Sequence, residues 1–244
     1  MHHDRRTYRC YTSTRRLVSF VVSVRETDML ISACRNLSGE ARDAAARARL
    51  EIETYIAEHP GFYNSLEPLS HDSHAPALVR RMLAAASATG VGPMAAVAGA
   101  VAEYTGYELL KHSREVIVEN GGDIFLKTDS PVTVGLFAGS SPLSERIGII
   151  ITETGVPVSL CTSSGTVGPS LSFGTADAVT VKSSDAALAD AAATAIGNMV
   201  SGDDDIGTAA DAAGKIPGIQ GVLIIRGDRL GAWGSMELTS LQRT

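Results

Sequence analysis

The chain has 244 residues, enough to bury a full hydrophobic core as one large domain or two small ones. Hydrophobic residues make up 44% of it and charged residues 20%, a composition typical of a soluble globular protein. The formal net charge of -6 argues against a nucleic-acid-binding surface, so we expect no nucleic-acid partner.

The cysteines and the N-terminal region indicate the compartment. Cys10, Cys34 and Cys161 show no paired spacing, which is typical of reduced thiols in a cytoplasmic protein. The apolar run over residues 17–24 is too short and too mixed for a signal peptide or a membrane-spanning helix. We therefore expect a cytoplasmic protein without a membrane partner.

The first half of the chain is predicted to hold a β-meander followed by three helices. A loose alternation of branched apolar residues indicates the meander, and apolar spacing between capping and helix-breaking residues indicates the helices. The meander is expected over residues 8–34 and the helices over residues 38–58, 76–88 and 93–112. The longest irregular segment, residues 61–75, contains His71 and His74, which we interpret as surface histidines rather than metal ligands.

The second half of the chain is predicted to consist of strands and two helices. Strands are expected over residues 114–118, 124–127, 131–138, 147–152, 157–161, 177–182, 221–226 and 232–238. Ser184 or Asp185 is predicted to cap a long helix, and a short helix is predicted to end at Gly214. No repeat, linker or composition break divides the chain, so we expect one domain over residues 7–240.

A compact glycine-proline turn at residues 91–94 leads into the third predicted helix. Pro93 suits the first helical position, and the small residues after it allow the helix backbone to lie close to a neighbour. A glycine turn before a helix N-terminus also suits an anionic group such as a phosphate, which makes Met94 a candidate nucleotide contact. Tight helix packing would select the same residues, and it remains the alternative.

Asn120-Gly121 between two apolar runs is a strong hairpin signal. Glu119 and Asp123 would then stand at the two ends of the turn. A turn does not itself require both carboxylates, so a ligand-facing role for Glu119 and Asp123 is as well supported as plain turn chemistry.

Residues 161–176 form a loop of small and hydroxylic residues with no long charged side chain. Such a loop lets backbone N–H groups and hydroxyls approach a ligand closely. Its candidate ligand contacts are Ser163, Ser164, Gly165 and Thr166. Cys161 begins the loop, and the sequence leaves it open as a buried inert cysteine or a weak candidate for a catalytic thiol.

Asp190 and Thr194 lie one turn apart on the helix that follows, on a face without Lys or Glu. A carboxylate and a hydroxyl at this spacing, with loop carbonyls nearby, suit a hard cation such as Mg²⁺. The alternative is a polar face packed on the loop, with Asp190 hydrogen-bonded to the backbone. The core face of the helix is predicted to consist of Leu188, Ala192, Ala195, Ile196 and Met199.

Four stretches together resemble a small cytoplasmic branch of the ApbE-like superfamily, whose best-known members are FAD:protein FMN transferases. They are VGPMAAVAGA at residues 91–100, VENGGDIF at 118–125, TSSGTVGPSLSFG at 162–174 and ADAAAT at 189–194. The resemblance to the branch covers almost the whole chain, whereas the match to the transferases covers mainly residues 116–200.

This resemblance implies an α+β roll in which a twisted antiparallel sheet is flanked by helices. It also implies a pocket for FAD or another nucleotide beside a Mg²⁺ site. The positions that bind the metal in the transferases match Asp190 and Thr194 here. The positions that line the nucleotide match Gly121, Gly122, Asp123, Ser164 and Gly165.

The chain departs from the transferases at three points. Residues 93–96 read PMAA where a Lys-Gly pair enters the helix, residues 167–170 read VGPS where a His-Ile-x-Asp-Pro segment follows the loop, and no lipoprotein signal is recognised. These departures argue against FMN transfer to a protein threonine.

Three functions are therefore weighed. The first is a flavin- or nucleotide-binding protein that uses Mg²⁺. The second is a sulfur-assimilation protein for homocysteine biosynthesis, with Cys161 as sulfur carrier. The third is a non-catalytic partner subunit. A homodimer is expected in each case.

Overall fold

The computed structural model describes residues 16–166 and 173–241. Their helices are α1 (Ser38–Glu58), α2 (Gly61–Asn64), α3 (Ala77–Thr89), α4 (Val97–Leu110), α5 (Ala186–Asn198) and α6 (Asp205–Ala213), with a 3₁₀ turn at Pro93–Ala96. Their strands are β1 (Val18–Val24), β2 (Thr27–Ala33), β3 (Val116–Asn120), β4 (Asp123–Lys127), β5 (Val132–Gly135), β6 (Ile147–Ile151), β7 (Val158–Ser163), β8 (Ala178–Ser183), β9 (Ile219–Arg226), β10 (Arg229–Gly234) and β11 (Glu237–Ser240). The start of the predicted meander, Cys10 and the VGPS segment lie outside the described residues.

The described strands form two antiparallel sheets. The larger sheet has eight strands in the order β1-β2-β3-β4-β7-β8-β9-β10, and the smaller has three in the order β11-β6-β5. Alternation along each strand separates the two faces of the large sheet. In β4, for example, Phe125 packs against the helices, whereas Leu126 packs against the small sheet. The fold is therefore α+β, as the resemblance implied.

The predicted elements are recovered with three differences. Residues 61–75 contain one turn of helix, α2, and the third predicted helix begins as the 3₁₀ turn. The last predicted strand, residues 232–238, is wrong, because the chain changes sheets at Gly234. Gly234 has a φ of 75°, and a Cβ there would lie 2.3 Å from the carbonyl oxygen of Gln220. The strand ends where only glycine fits this bend.

The predicted core face of α5 is partly wrong. Met199 is exposed and Leu188 and Ala195 are half-buried, whereas Ala192 and Ile196 are fully buried as expected. The helix lies between the large sheet and the helices α3 and α4, so it has two buried faces. Alanines cover both: Ala189, Ala192 and Ala193 face the sheet, and Ala187 and Ala191 face the other helices.

Helices α4 and α5 pack at close range and each contributes a carboxyl group to the other's N-terminus. A Cβ on Gly99 of α4 would lie 2.3 Å from the carbonyl oxygen of Ala186. The Gly99 N–H donates to Oδ2 of Asp190 at 2.9 Å. One turn along α4, buried Glu103 pairs with Arg81 at 2.5 Å and approaches the Ala186 N–H. Both carboxyl groups thus lie at positive helix ends.

No single described helix is both long enough and apolar enough to cross a membrane. The two helical segments Ala77–Thr89 and Pro93–Leu110 reach that length and composition only jointly, across a bend of 109°.

Gly99→Ala should destabilise the protein, because the added methyl meets backbone and not a flexible side chain. We expect the free energy of unfolding to fall by about 2 kcal/mol or more, measured by urea denaturation. Gly207→Ala in α6 is the matched control, since nothing lies within 4 Å of its added Cβ. It should leave stability unchanged or raise it by about 0.5–1 kcal/mol. Equal effects of the two substitutions would contradict the packing argument.

Glu103 should make stability fall as the pH rises towards neutrality. Burial raises the pKa of its carboxyl from 4.5 to about 7, although Arg81 opposes the shift. The folded state therefore binds this proton more tightly than the unfolded state. Its contribution is fully present below about pH 4.5 and is lost as the pH passes through 7. Urea unfolding between pH 5 and 8 should show this decline, and Glu103→Gln should make it shallower. Asp123 and Asp190, whose pKa values are also raised by burial, account for the part that is left.

Glu108 lies on the same helix and is the control, because its pKa is shifted in the opposite direction. Its hydrogen bond with Lys111 lowers the pKa of its carboxyl. Glu108→Gln should therefore leave the decline between pH 5 and 8 intact. A decline in Glu103→Gln as steep as in the wild type would contradict the contribution of Glu103.

Candidate functional site

The candidate site is built around the N-terminal turn of α4. The side chain of Asn120, at the end of β3, donates to the carbonyl oxygen of Ala98 at 3.0 Å. From the opposite side, Asp190 of α5 accepts the Gly99 N–H. The hairpin β3–β4 and α5 are thereby held against the same helix end.

The Asn-Gly hairpin is confirmed, and its glycines are required by the backbone. Gly121 and Gly122 have φ values of 69° and 109°, which side chains with a Cβ rarely adopt. The Gly122 N–H donates to Oε1 of Glu119 at 2.8 Å. The Glu119 carboxylate therefore supports the turn, while Asp123 begins β4 opposite Asn120.

Asp123 is a buried carboxyl that joins the hairpin to the neighbouring strand β7. Its Oδ1 accepts the Thr162 N–H at 3.1 Å, and its carboxyl also interacts with the Cys161 thiol. Burial raises the pKa of Asp123 well above its usual range, and the charge of Asp190 raises it further. Asp123 and Asp190 therefore lie near enough to repel each other when both are ionised.

Asp190 lies in the same acidic environment. Its side chain is half-buried, and burial raises the pKa of its carboxyl to about 7, although hydrogen bonding to the Gly99 N–H favours the ionised form. Among the described residues, no Lys or Arg forms an ion pair with Asp123 or Asp190. The site therefore holds two carboxyl groups that no basic side chain among the described residues pairs with, and burial favours their protonated forms.

Thr194 and Asn198 continue the polar face of α5 from Asp190 towards the hydroxylic loop. Thr194 is half-buried, and its hydroxyl forms no hydrogen bond with a described residue. The Asn198 side chain accepts the Phe173 N–H at 2.8 Å. The predicted face thus runs from the end of α4, where Asp190 is hydrogen-bonded to the backbone, to the returning end of the loop.

Glycines allow the loop to lie directly on the C-terminal end of α5. A Cβ on Gly165 would lie 2.1 Å from the Gly174 carbonyl oxygen, and one on Gly174 would lie 1.8 Å from the Gly197 carbonyl oxygen. The Gly165 N–H also donates to the Ala176 carbonyl at 2.9 Å, which closes the base of the loop. Ser163 is buried, Ser164 is half-buried, and Gly165 and Thr166 are exposed.

Met94 and Cys161 lie at the margins of this arrangement. Met94 is half-buried and packs against the core between α3, α4 and α5. Cys161 is fully buried, and its Sγ lies 3.4 Å from the Ala186 carbonyl oxygen. Burial raises the pKa of the Cys161 thiol, and the neighbouring charge of Asp123 raises it further. A neutral, buried thiol is a poor nucleophile.

The contacts that three residues of the site make could not be predicted from the sequence. Gly99 and Asn120 fix the start of α4, and Asp177 holds the loop through Thr166. Asp177 was treated only as the start of a strand, although a carboxylate beside a run of glycine and hydroxyl residues is a usual partner for their donors. Gly99 stood within a run of small residues whose packing role was foreseen.

The side-chain oxygens of Asp190 and Thr194 could bind a hard cation only together with other oxygen donors. Within residues 16–166 and 173–241, no group of three or more His, Cys, Asp or Glu side chains is placed to hold a metal ion. Asp190 and Thr194 supply one carboxylate and one hydroxyl. Backbone carbonyls, water or ligand phosphates would have to complete the coordination. Asp123 adds a second carboxyl group near Asp190.

Two cavities, of about 340 and 630 Å³, flank Leu69 and His71 in the irregular segment between α2 and α3. Neither is lined by Asp123, Asp190 or the described residues of the hydroxylic loop. The candidate site is therefore defined by the chemistry of its carboxyl groups.

Two relatives are similar to this chain over most of its length. The chain is 43% identical over 216 residues to the UPF0280 protein of Methanosarcina barkeri, covering 87% of this chain and 85% of that protein. It is 39% identical over 223 residues to the UPF0280 protein of Methanocaldococcus jannaschii, covering 88% and 90%.

Solved structures of ApbE proteins share the fold. A mutant of the flavin transferase ApbE from Vibrio cholerae superposes with a TM-score of 0.58 at 16% identity, covering 90% of this chain and 97% of that one. The ApbE protein of Thermotoga maritima gives a TM-score of 0.54 at 13% identity, covering 88% and 96%. A family model described as AbpE bacteria matches residues 9–216. The chain therefore belongs to this family, within the ApbE-like superfamily that its sequence motifs resemble.

Proposed function

We propose that the protein binds a flavin or another nucleotide together with Mg²⁺ at the candidate site. The observation that carries the proposal is the pair of carboxyl groups, Asp123 and Asp190, without a basic partner beside a glycine turn and a hydroxylic loop. A phosphate cannot approach such a site without a counter-charge, and a divalent cation supplies one.

The residues of the site divide into two groups under this proposal. Asp190 and Thr194, one turn apart on α5, would hold the cation, and Asp123 would add to the negative charge that attracts it. The cation would neutralise the phosphates of the nucleotide. The backbone of Gly121 and Gly122 and the loop residues Ser164, Gly165 and Thr166 would contact the nucleotide, since Gly165 and Thr166 are exposed.

The similar solved structures include proteins described as flavin transferases, and this supports the choice of ligand class. From these structures the proposal takes the ligand class, which is flavins. It does not take the transfer reaction. The chain has PMAA where the transferases carry a Lys-Gly pair, and the 3₁₀ turn Pro93–Ala96 occupies that position. Ligand binding is therefore the activity we propose.

FAD binding should require Mg²⁺ and the charge of Asp190. Isothermal titration of the protein with FAD should show binding with Mg²⁺ and a loss of at least about tenfold in affinity without it. Asp190→Asn keeps an oxygen that can accept the Gly99 N–H but removes the charge, so it should lower the affinity while the helix contact survives. An unchanged midpoint of thermal unfolding in Asp190→Asn would show that the contact between residue 190 and Gly99 is kept.

The matched control is Asp211→Asn, which removes an exposed carboxylate on α6. It should change neither the affinity for FAD nor its dependence on Mg²⁺. Binding of FAD that is indifferent to both Mg²⁺ and Asp190→Asn would contradict the assignment of the cation. Failure of FAD, FMN and ATP to bind would overturn the proposal.

The sulfur-carrier alternative requires that Cys161 be accessible. A carrier thiol must reach its substrate, yet Cys161 is fully buried, whereas Cys34 is exposed and its hydrogen bond with Ser113 lowers its pKa. Brief alkylation of the native protein with iodoacetamide at pH 8 should label Cys34 and spare Cys161, as read by mass spectrometry. Unfolding in urea should expose Cys161 to labelling. Rapid native labelling of Cys161 would favour the carrier hypothesis.

The homodimer and the cytoplasmic location stay predictions. Light scattering of the purified protein measures the first, and fractionation of the source cells measures the second.

A further inference from the structure

Asp177 is a buried carboxylate at which three segments of the chain meet. Its backbone N–H donates to the Ile225 carbonyl at 2.8 Å, which fixes it to β9. Its Oδ2 accepts the Gly227 N–H at 2.7 Å, from the turn between β9 and β10. Its Oδ1 accepts the hydroxyl proton of Thr166 at 3.0 Å. Both carboxylate oxygens are thus engaged, one with the scaffold and one with the hydroxylic loop.

The scaffold side of this junction is itself held. The Ser141 hydroxyl donates to the Gly227 carbonyl oxygen at 2.6 Å, so the turn that contacts Asp177 is tied to a further segment. On the loop side, the Gly165 N–H donates to the carbonyl oxygen of Ala176, the residue before Asp177. Thr166 therefore lies at a fixed position relative to the large sheet.

The hydrogen bond with Asp177 sets the polarity of the Thr166 hydroxyl. A threonine hydroxyl has one proton and two lone pairs, and carboxylate oxygens accept. Because Thr166 donates its proton to Asp177, its oxygen is left with acceptor capacity only. Thr166 is exposed, and the hydroxyl oxygen of Ser164 lies 3.4 Å from its own. An acceptor oxygen is thus presented at the surface of the loop.

We propose that Asp177 is a positioning residue that presents the Thr166 oxygen as an acceptor for a hydroxyl group of the bound ligand. The site then selects ligands that carry free hydroxyls on a sugar or polyol chain. The inference rests on the proposed function and deepens it, since it assigns a second determinant that acts on the organic part of the ligand and not on its phosphates.

A purely structural clamp is the alternative, and ligand chemistry separates the two. If Asp177 and Thr166 only close the loop, their loss should weaken every ligand of the site to a similar extent. If Thr166 accepts from a ligand hydroxyl, its loss should weaken only ligands that have one. Magnesium pyrophosphate keeps the phosphates and the cation but has no such hydroxyl, so it is the discriminating probe.

The experiment compares Thr166→Val with Thr166→Ser by titration with FAD in Mg²⁺, and with magnesium pyrophosphate as competitor. Valine removes the hydroxyl at nearly constant volume, and Thr166 is exposed, so the fold should survive. We expect valine to weaken FAD about five- to tenfold, as for one lost hydrogen bond, and serine to stay within about twofold of wild type. Pyrophosphate affinity should be unchanged in both variants.

Asp177→Asn tests the positioning residue itself. In asparagine an NH₂ group replaces one of the two carboxylate oxygens, so the Gly227 N–H and the Thr166 hydroxyl no longer each have an acceptor oxygen in place. FAD should therefore be weakened as in Thr166→Val. The Thr166 pair decides the question if Asp177→Asn does not fold.

The outcomes are distinguishable. Failure of wild-type protein to bind any nucleotide overturns the proposed function, and this inference with it. FAD binding that is equal in wild type and Thr166→Val overturns the inference alone. Parallel weakening of FAD and pyrophosphate in Thr166→Val also overturns it, in favour of the clamp.

Discussion

The contact between Gly99 and α5 is the constraint on which the rest of the site depends. Only a residue without Cβ allows the backbone of α4 to come so near to Ala186 and Asp190. At this distance the side chain of Asp190 reaches the N-terminal turn of α4, and Glu103 reaches the start of α5. The alanines that cover α5 serve the same end, because larger side chains would separate the helix from its neighbours. The positions of Asp190 and Glu103 at the helix ends therefore depend on the absence of a Cβ at Gly99.

That packing concentrates negative charge in a region that water reaches poorly. Burial penalises the ionised forms of Asp123 and Asp190, and their mutual repulsion adds to the penalty. A structure that needed these groups only for hydrogen bonding would be served by asparagine at lower electrostatic cost. The proposed cation would offset this cost, because it would balance the charge of both carboxyl groups. The bonds to Gly99 and Thr162 then serve to aim the carboxyl groups, so the structural and functional roles of these residues do not exclude each other.

Local patterns in the sequence predicted the local parts of this molecule well. The helix Ser38–Glu58, the Asn-Gly hairpin and the cap at Asp185 each depend on residues close in sequence, and each is found. The fold class came from the resemblance and is confirmed by the structure. The change of sheet at Gly234 was missed, because it is imposed by close approach to Gln220 and not by a turn motif. The exposure of Met199 was missed for a related reason, since periodicity cannot show that a helix has two buried faces.

Only part of the candidate site could be predicted from the sequence. Asp190 and Thr194 could be singled out because helical spacing places them on one face. Their surroundings could not, since Asn120, Gly99 and Asp177 act on residues brought near by the tertiary fold. The structure shows the hydrogen bond of Asp190 to the backbone and places a second acidic group near it, while the metal-binding role of Asp190 stays a proposal.

The separation between Gly99 and Asp190 along the chain has a consequence for how the protein reaches this state. The two residues are 91 positions apart, and Thr162 and Asp123 are 39 apart. The β3–β4 hairpin can form early because it is local, but the site is complete only after distant segments have met. A nascent or partly folded chain would thus lack it. Any ligand that requires the assembled site will act on the folding equilibrium as a whole, holding the last-formed contacts in place and slowing the loss of the native state.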